Sequence, residues 1–477
     1  MPRISKKPWL FVCFFLLFSF CFPFSASAAE NRASIAVQDW KSLSDAFNEN
    51  EGAAVIELTE DIACQGALTA KSGCAYVIQG NGHTLTDVKL EGSGQVEIAA
   101  DLIGKDGMAA LDVTDTQFIV TGTLTTYPGQ DSRCIFAQGN ASGEIYGDCL
   151  DSTNEAESVV DTNDDARITL HGDIKGGWEY TVSSSGTSEL TVYGNVYAIG
   201  GRTERPVTSF DDSKMTIHGD IIGVPGTYLS GAIDNSTLVV DGNVNSGLEV
   251  GPMFSSGGPT VRIGGNLSNA CSDNYCLSVS GAVVTIGGSI KSSSATSSAI
   301  LMGSDAVLTV GGSVTNTKGG ALEIDLVDST PGRILIEGSV SAGGSAPSLS
   351  VTNFSGLSGD LPSYLPKISI GELKGEVPIG SGIPGMVEAV EENLAANQPT
   401  PAPTQTPEAS PADSMTPTPE GNKTPVPSSL PSSQPVGLSP QTGDTASIAP
   451  YALLGTCALL GLVCLLAYKK LLHSNQK

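Results

Sequence analysis

A glycine returns every 24 residues on average through the middle of this 477-residue chain, at Gly122, Gly147, Gly172, Gly194, Gly219, Gly242, Gly265, Gly288, Gly312 and Gly338. No other feature limits the fold as severely. Apolar side chains stand two and four residues before the glycine and two after it, as in Ile168, Leu170 and Ile174 around Gly172, or Val284, Ile286 and Ile290 around Gly288. The positions between are mostly polar, so each unit has a period of two and predicts strand, not helix. One such strand cannot bury its apolar side alone, whereas coils stacked about 4.8 Å apart bury a continuous column of Ile, Val and Leu.

About 24 residues per coil are too few for a covering helix and enough for three short strands with turns. The missing Leu/Asn pattern excludes a leucine-rich repeat, and one strong strand per unit argues against four-stranded propeller blades. The expected fold is all-β: a right-handed parallel β-helix over residues 34–376. The recurring glycine is expected where two strands of a coil meet, since a small residue permits the tight bend. The frame extends back to Val96-Ile98-Ala100-Leu102, with Ala for Gly, and to Tyr76-Ile78-Gly80. Terminal repeats need caps. Residues 40–50 supply a short helix and residues 54–58 a first strand, while residues 377–398 are expected to close the solenoid with a helix carrying Met386, Val387, Val390 and Leu394.

Both ends of the sequence point to export. Arg3, Lys6 and Lys7 precede an apolar run over residues 9–24 and the small residues Ser25-Ala26-Ser27-Ala28-Ala29, the pattern of a signal peptide over residues 1–28. Residues 448–468 carry no charge, are long enough to span a bilayer, and are followed by Lys469 and Lys470 in a basic tail at 469–477. By the positive-inside rule, everything before the span lies outside the cell. Between them, residues 399–440 hold 12 of the 27 prolines, mixed with Thr, Ser and Ala. Such a stretch cannot build a core; residues 399–438 form a linker that, as polyproline II, reaches about 130 Å.

Directly ahead of the span stands Ser439-Pro440-Gln441-Thr442-Gly443. The order of pentapeptide, apolar span and basic tail resembles a sortase cell-wall sorting signal, in the SPxTG variant of the LPxTG pattern, with Leu438 one place early. The resemblance implies cleavage between Thr442 and Gly443, transfer of the Thr442 carbonyl to a peptidoglycan amine, and a place on the wall of a Gram-positive cell. Separately, the entry strands and Ile78-Gln79-Gly80-Asn81-Gly82-His83-Thr84-Leu85 resemble the start of pectate-lyase-like β-helix domains of bacterial surface proteins. That architecture carries lyases, hydrolases and binding proteins alike, so function has to come from side chains.

An enzyme needs carboxylates that meet across coils, either around Ca²⁺ or flanking one glycosidic bond. Asn163, Asp164, Asp165 and His171 fall within one coil and are expected on different sides of it. Asp148, Asp173, Asn195, Asp220, Asn243, Asn266 and Ser289 each follow a repeat glycine and form a polar turn ladder, where weak Ca²⁺ binding is the only cofactor expected. No catalytic residue is assigned. Binding is better served: the residue before the glycine is Tyr146, His171, Tyr193 and His218 on four successive coils, which makes one outward column, with Trp178, Tyr180 and Tyr197 nearby in sequence. An exposed aromatic row suits sugar rings or an extended peptide; the alternative is a stacking ladder that only stabilises the solenoid.

Between Glu30 and Gly443 there are 49 acidic and 18 basic residues, a net charge of −31. That field repels nucleic acid and polyanionic glycans. Six cysteines lie between signal and span, and proximity pairs them as Cys64/Cys74, Cys134/Cys149 and Cys271/Cys276, with a buried free thiol the alternative for Cys149. The expectation is a wall-anchored adhesin or glycan-binding module whose partners are sortase, peptidoglycan and an external glycan or protein. A polysaccharide-processing enzyme and a passive wall or biofilm component are the alternatives.

Overall fold

The computed structural model of the protein describes residues 34–398, apart from residue 106 and the segments 128–131, 153–155, 200–204, 224–229, 254–256, 270–273, 327–331 and 355–360. The signal peptide, linker, sorting pentapeptide, apolar span and basic tail expected from the sequence lie outside the described residues, as does Cys271. Among the described residues no helix is long and apolar enough to cross a membrane.

The described chain is a right-handed parallel β-solenoid of about 12 turns. Three strands make a coil, as the unit length predicts. Two of them, on either side of the repeat glycine, belong to one long sheet, here sheet A; the third belongs to a second, sheet B. In one coil these are Arg167–Leu170 and Ile174–Lys175 in sheet A and Tyr180–Ser184 in sheet B.

The apolar frame becomes a core because parallel pairing in register places like on like. Ile168 pairs with Leu190, Leu190 with Met215, Met215 with Leu238, Leu238 with Val261, and Val261 with Val284, each buried. The glycine is required by the same stacking. A Cβ on Gly147 would lie 2.0 Å from the Gly122 carbonyl oxygen, and one on Gly194 2.1 Å from that of Gly172, so the backbones touch where the coil bends.

The corner from sheet B back into sheet A has its own device. Asp115, Asp164, Asp211, Asp234 and Asp305 adopt φ between 54° and 60° there, and Gly139, Gly186 and Gly281 take the equivalent place on other coils. Asp is tolerated in the left-handed region because its short side chain bonds locally. Here it bonds the neighbouring coil: Asp115 Oδ1 accepts from Asn140 N at 2.7 Å and Asp164 Oδ2 from Gly139 N at 3.1 Å.

Both ends are capped. The N-terminal helix Trp40–Glu49 starts on a capping box between Asp39 and Ser42 and buries Leu43, Ala46 and Phe47, whose ring stacks on Tyr76 with centroids 4.1 Å apart. At the other end the helix is shorter than the sequence suggests. Residues Val377–Ser381 form a further sheet B strand paired with Pro347–Thr352, and only Met386–Ala396 is helical, burying Met386, Ala389 and Val390. The solenoid therefore runs beyond residue 376.

Candidate functional site

The bend glycine fixes where the preceding side chain points. Each glycine packs its backbone on the previous coil, and the residue before it is turned outward at the same height on every coil. Tyr146, His171, Tyr193 and His218 accordingly form one column, with ring centroids 4.4, 5.1 and 4.6 Å apart and interplanar angles of 5°, 3° and 23°. Carboxylates fix three of its members: Tyr146 Oη donates to Glu144 Oε2 at 2.6 Å, His171 Nε2 lies 3.3 Å from the same oxygen, and His218 Nδ1 is 2.7 Å from Asp241 Oδ2. The bond to Glu144 raises the Tyr146 hydroxyl above the usual phenol range, with lesser help from burial and the carboxylate charge.

Stacking this close has a chemical consequence. Inside the column each ring face is covered by its neighbour, so no sugar ring can lie between His171 and Tyr193. Tyr146 ends the column, because the preceding coil has only Thr121 at that height; its exposure, 50%, is no greater than the 52% of Tyr193, so what sets it apart is one ring face that no other ring covers. Beside it the outer face of sheet A is dented by a depression of about 460 Å³, lined by Gln117, Ile119, Ser142, Glu144, Tyr146 and Arg167 among others. On the outer face the strand Ser142–Ile145 opens with the small Ser142, between Gln117 and Arg167 of its neighbours. Gly143, in register with the buried Phe118, faces the other way, where a Cβ would lie 2.5 Å from the Phe118 carbonyl oxygen. An aromatic face, a carboxylate, a guanidinium and an amide thus converge on one shallow basin.

Trp178, Tyr180 and Tyr197 do not join the column. Lys175 Nζ sits 5.2 Å from the Tyr197 ring centroid, Tyr180 packs edge-on against Phe210, and Trp178 lies at the corner leading into sheet B.

The carboxylates singled out for an enzyme are committed to hydrogen bonds that join neighbouring coils. Asp148 Oδ1 accepts from Asp173 N at 2.8 Å, Asp173 Oδ1 from Asn195 N at 2.9 Å, and Asn195 Oδ1 from Asp220 N at 2.9 Å. The ladder continues through Asp220, Asn243, Asn266 and Ser289. Asp165 accepts from the Thr187 hydroxyl, and Asn163 from the Ser185 hydroxyl at 2.5 Å. Where a bridging Ca²⁺ would sit, Lys175 Nζ lies 3.2 Å from Asp173 and 3.9 Å from Asp148. Among the described residues no group of three His, Cys, Asp or Glu side chains is arranged to hold a metal ion.

Neither of the pairings that lie wholly among the described residues, Cys64/Cys74 and Cys134/Cys149, is formed; Cys271/Cys276 includes a residue outside them. All five described cysteines are free thiols in this structure. Cys64 lies beside Asp87 and is pushed up to about 12 by burial and that charge, while Cys74 lies against the Tyr76 hydroxyl. Cys134 and Cys149 do come together in the core, fully buried, with Cys134 Sγ also donating to Leu150 O at 3.4 Å. Burial raises Cys134 well above the usual thiol range, followed by the neighbouring Cys149 thiol.

One cluster escaped the sequence reading. On the outer face of sheet B, Arg133 Nη2 lies 2.6 Å from Glu157 Oε2 and its Nε 3.3 Å from Asp161 Oδ2, with the guanidinium over the Phe136 ring. Burial pushes the Asp161 carboxyl up to about 6, against the Arg133 charge. These residues belong to two successive coils and share no motif in sequence; only pairing of the strands Arg133–Gln138 and Ser158–Thr162 brings them together. No family model matches the chain, and no curated protein or solved structure matches it.

Proposed function

We propose that the chain is an exported protein joined to the wall of a Gram-positive cell through Ser439-Pro440-Gln441-Thr442-Gly443, and that its solenoid is a binding module which takes a sugar unit of an external glycan beside Tyr146. The observation that carries the binding half is the Tyr146 ring at the end of the column, with one face free of any other ring and a polar basin beside it. A pyranose offers an apolar face of C–H groups to Tyr146 and a hydroxyl edge to Glu144, Gln117 and Arg167. The anchoring half rests on the order of pentapeptide, apolar span and lysines. Capping at both ends of the solenoid favours display of a single rod over growth by end-to-end pairing.

A glycan array probed with the full chain tests the binding half. Wild type and Tyr193→Ala are expected to retain the same glycans, and Tyr146→Ala to lose at least ten-fold in retention. Equal retention by Tyr146→Ala would place binding elsewhere. For anchoring, Thr442→Ala is expected to shift the protein from the muramidase-released wall fraction to membrane and medium; an unchanged wall fraction would remove the sortase reading.

A further inference from the structure

The basin beside Tyr146 is polar in two opposite senses. At one end Glu144 presents acceptors: its Oε2 takes the Tyr146 hydroxyl and lies 3.3 Å from His171 Nε2, while the side chain stays half exposed. Two residues before Glu144, about 6.6 Å along the strand, the outward row Gln117, Ser142 and Arg167 crosses three successive strands in register. Ser142 is the small member, so it opens a notch between Gln117 and Arg167, whose backbones stand about 10 Å apart. All three side chains line the open depression.

Every side chain of that notch can donate. Gln95 Nε2 donates to Gln117 Oε1 at 3.0 Å, which occupies the acceptor of the Gln117 amide and leaves its NH2 group for a ligand. Among the described residues the Ser142 hydroxyl and the Arg167 guanidinium have no partner. Arg167 is exposed, and the carboxylate that follows it in the same row, Glu189 on the next strand, is held by Lys214 at 3.2 Å. A free guanidinium facing a donor amide is suited to a carboxylate, because the planar fork takes both carboxylate oxygens at once. Glu97 and Glu144 stand on either side of Ile119 in the neighbouring row, so a bound carboxylate is kept at the Arg167 end.

We infer that the basin selects a saccharide carrying one hexuronic acid on an otherwise neutral chain, an inference that rests on the reading of the basin as a glycan site. A hexuronic acid holds its carboxylate at the ring edge, opposite the C2 and C3 hydroxyls, so one ring lying flat meets both ends of the basin. The carboxylate enters the notch at Ser142, between the Arg167 guanidinium and the Gln117 amide. The ring covers Ile119 with C–H groups against Tyr146, and the far hydroxyls donate to Glu144. A polyuronate is disfavoured by the net charge of −31 between Glu30 and Gly443, whereas a single acidic unit is compensated by Arg167. A neutral pyranose fills the same basin and leaves Arg167 without an anion.

The full chain, purified in mild detergent, is titrated calorimetrically at physiological salt with two trisaccharides that differ only at C6 of the terminal unit, glucuronosyl-lactose and glucosyl-lactose. The glucuronosyl sugar is expected to bind about ten-fold more tightly or better. Arg167→Gln is expected to abolish that preference, and Gln117→Ala to reduce it about three-fold. Arg333→Gln removes the same group from the same row, seven strands and about 34 Å away, and is expected to leave the preference unchanged. No binding of the glucuronosyl sugar, or an equal loss of preference in Arg167→Gln and Arg333→Gln, would overturn the inference. Tyr146→Ala keeps this inference apart from the reading it rests on. Equal affinity for the two sugars, with both lost in Tyr146→Ala, would overturn the acid selectivity and leave the basin a glycan site; affinity that Tyr146→Ala leaves intact would remove the basin and the inference with it. Thermal melts of each variant separate loss of site from loss of fold.

Discussion

Sheet A and the corner leading into sheet B obey different rules. From the pair Gln117–Val120 and Leu124–Thr126 to the pair Val307–Val310 and Val314–Asn316, three residues always separate the two sheet A strands of a coil. From sheet A into sheet B the chain uses as few as one residue, between Thr86 and Val88, and as many as eight, between Ser268 and Leu277. Stacked glycine carbonyls fix the first spacing, because any longer bend would break contacts of both neighbouring coils. In the second, backbone bonds join neighbouring coils at places, as from Trp178 N to Ala156 O and from Gly223 N to Asn245 O, while its length changes from coil to coil. In solenoids, insertions confined to one side commonly mark the binding side. Regularity in this molecule marks the scaffold, and irregularity marks the side on which the chain varies from coil to coil.

The sharpest way to break that contrast is a pair of alanines. Gly147→Ala places a Cβ 2.0 Å from a carbonyl oxygen of the next coil and is expected to cost about 3 kcal/mol or more, whereas Gly231→Ala on sheet B meets only ordinary contacts and is expected to stay within about 0.5 kcal/mol. Denaturant melts of both variants decide it; similar losses would mean the two regions are not built differently.

A smaller effect sharpens the comparison at Asp161. Its folded carboxyl is raised to about 6 by burial, with Arg133 opposing and Glu157 adding, so the folded state holds the proton more tightly than the unfolded chain does. Charge on Asp161 then costs stability above pH 6, and the cost fades as pH falls toward the unfolded value near 4; two pKa units correspond to about 3 kcal/mol. Asp161→Asn is expected to be more stable than wild type by about 1–3 kcal/mol at pH 7 and no different at pH 4. A gain independent of pH would show that Asp161 does not titrate in this range.

The smallest effect concerns the column. Tyr193 has a ring on each face, so Tyr193→Ala is expected to cost about 1 kcal/mol of stability with glycan retention intact. Loss of retention without loss of stability would mean the column is a binding surface along its whole length.

The residues that were legible in sequence are those that stack on their own kind. Ile168, Leu190 and Met215 announce their column by period, and Tyr146, His171, Tyr193 and His218 by their place before the glycine. Sheet B hides its pattern in two ways. Its strands begin with two consecutive buried residues, as Cys134-Ile135 and Val159-Val160, which interrupts the alternation. Several inward positions are hydroxyls rather than hydrocarbons, with Ser184 bonded to Ser188, Ser209 to Ser213 and Ser230 to Ser246, each at 2.8 Å. Buried serines that satisfy one another look like loop residues in a hydropathy scan.

By itself the sequence determined the coil length, the strand period and the inward columns, because each is a local or strictly periodic property of the chain. Tertiary structure alone decided that Arg133 meets Asp161, that the rings inside the aromatic column cover one another and leave only Tyr146 beside an open basin, and that Gln117, Ser142 and Arg167 share one donor row. Those are relations between coils, set by parallel register and strand spacing, and a chain read one residue after another does not contain them.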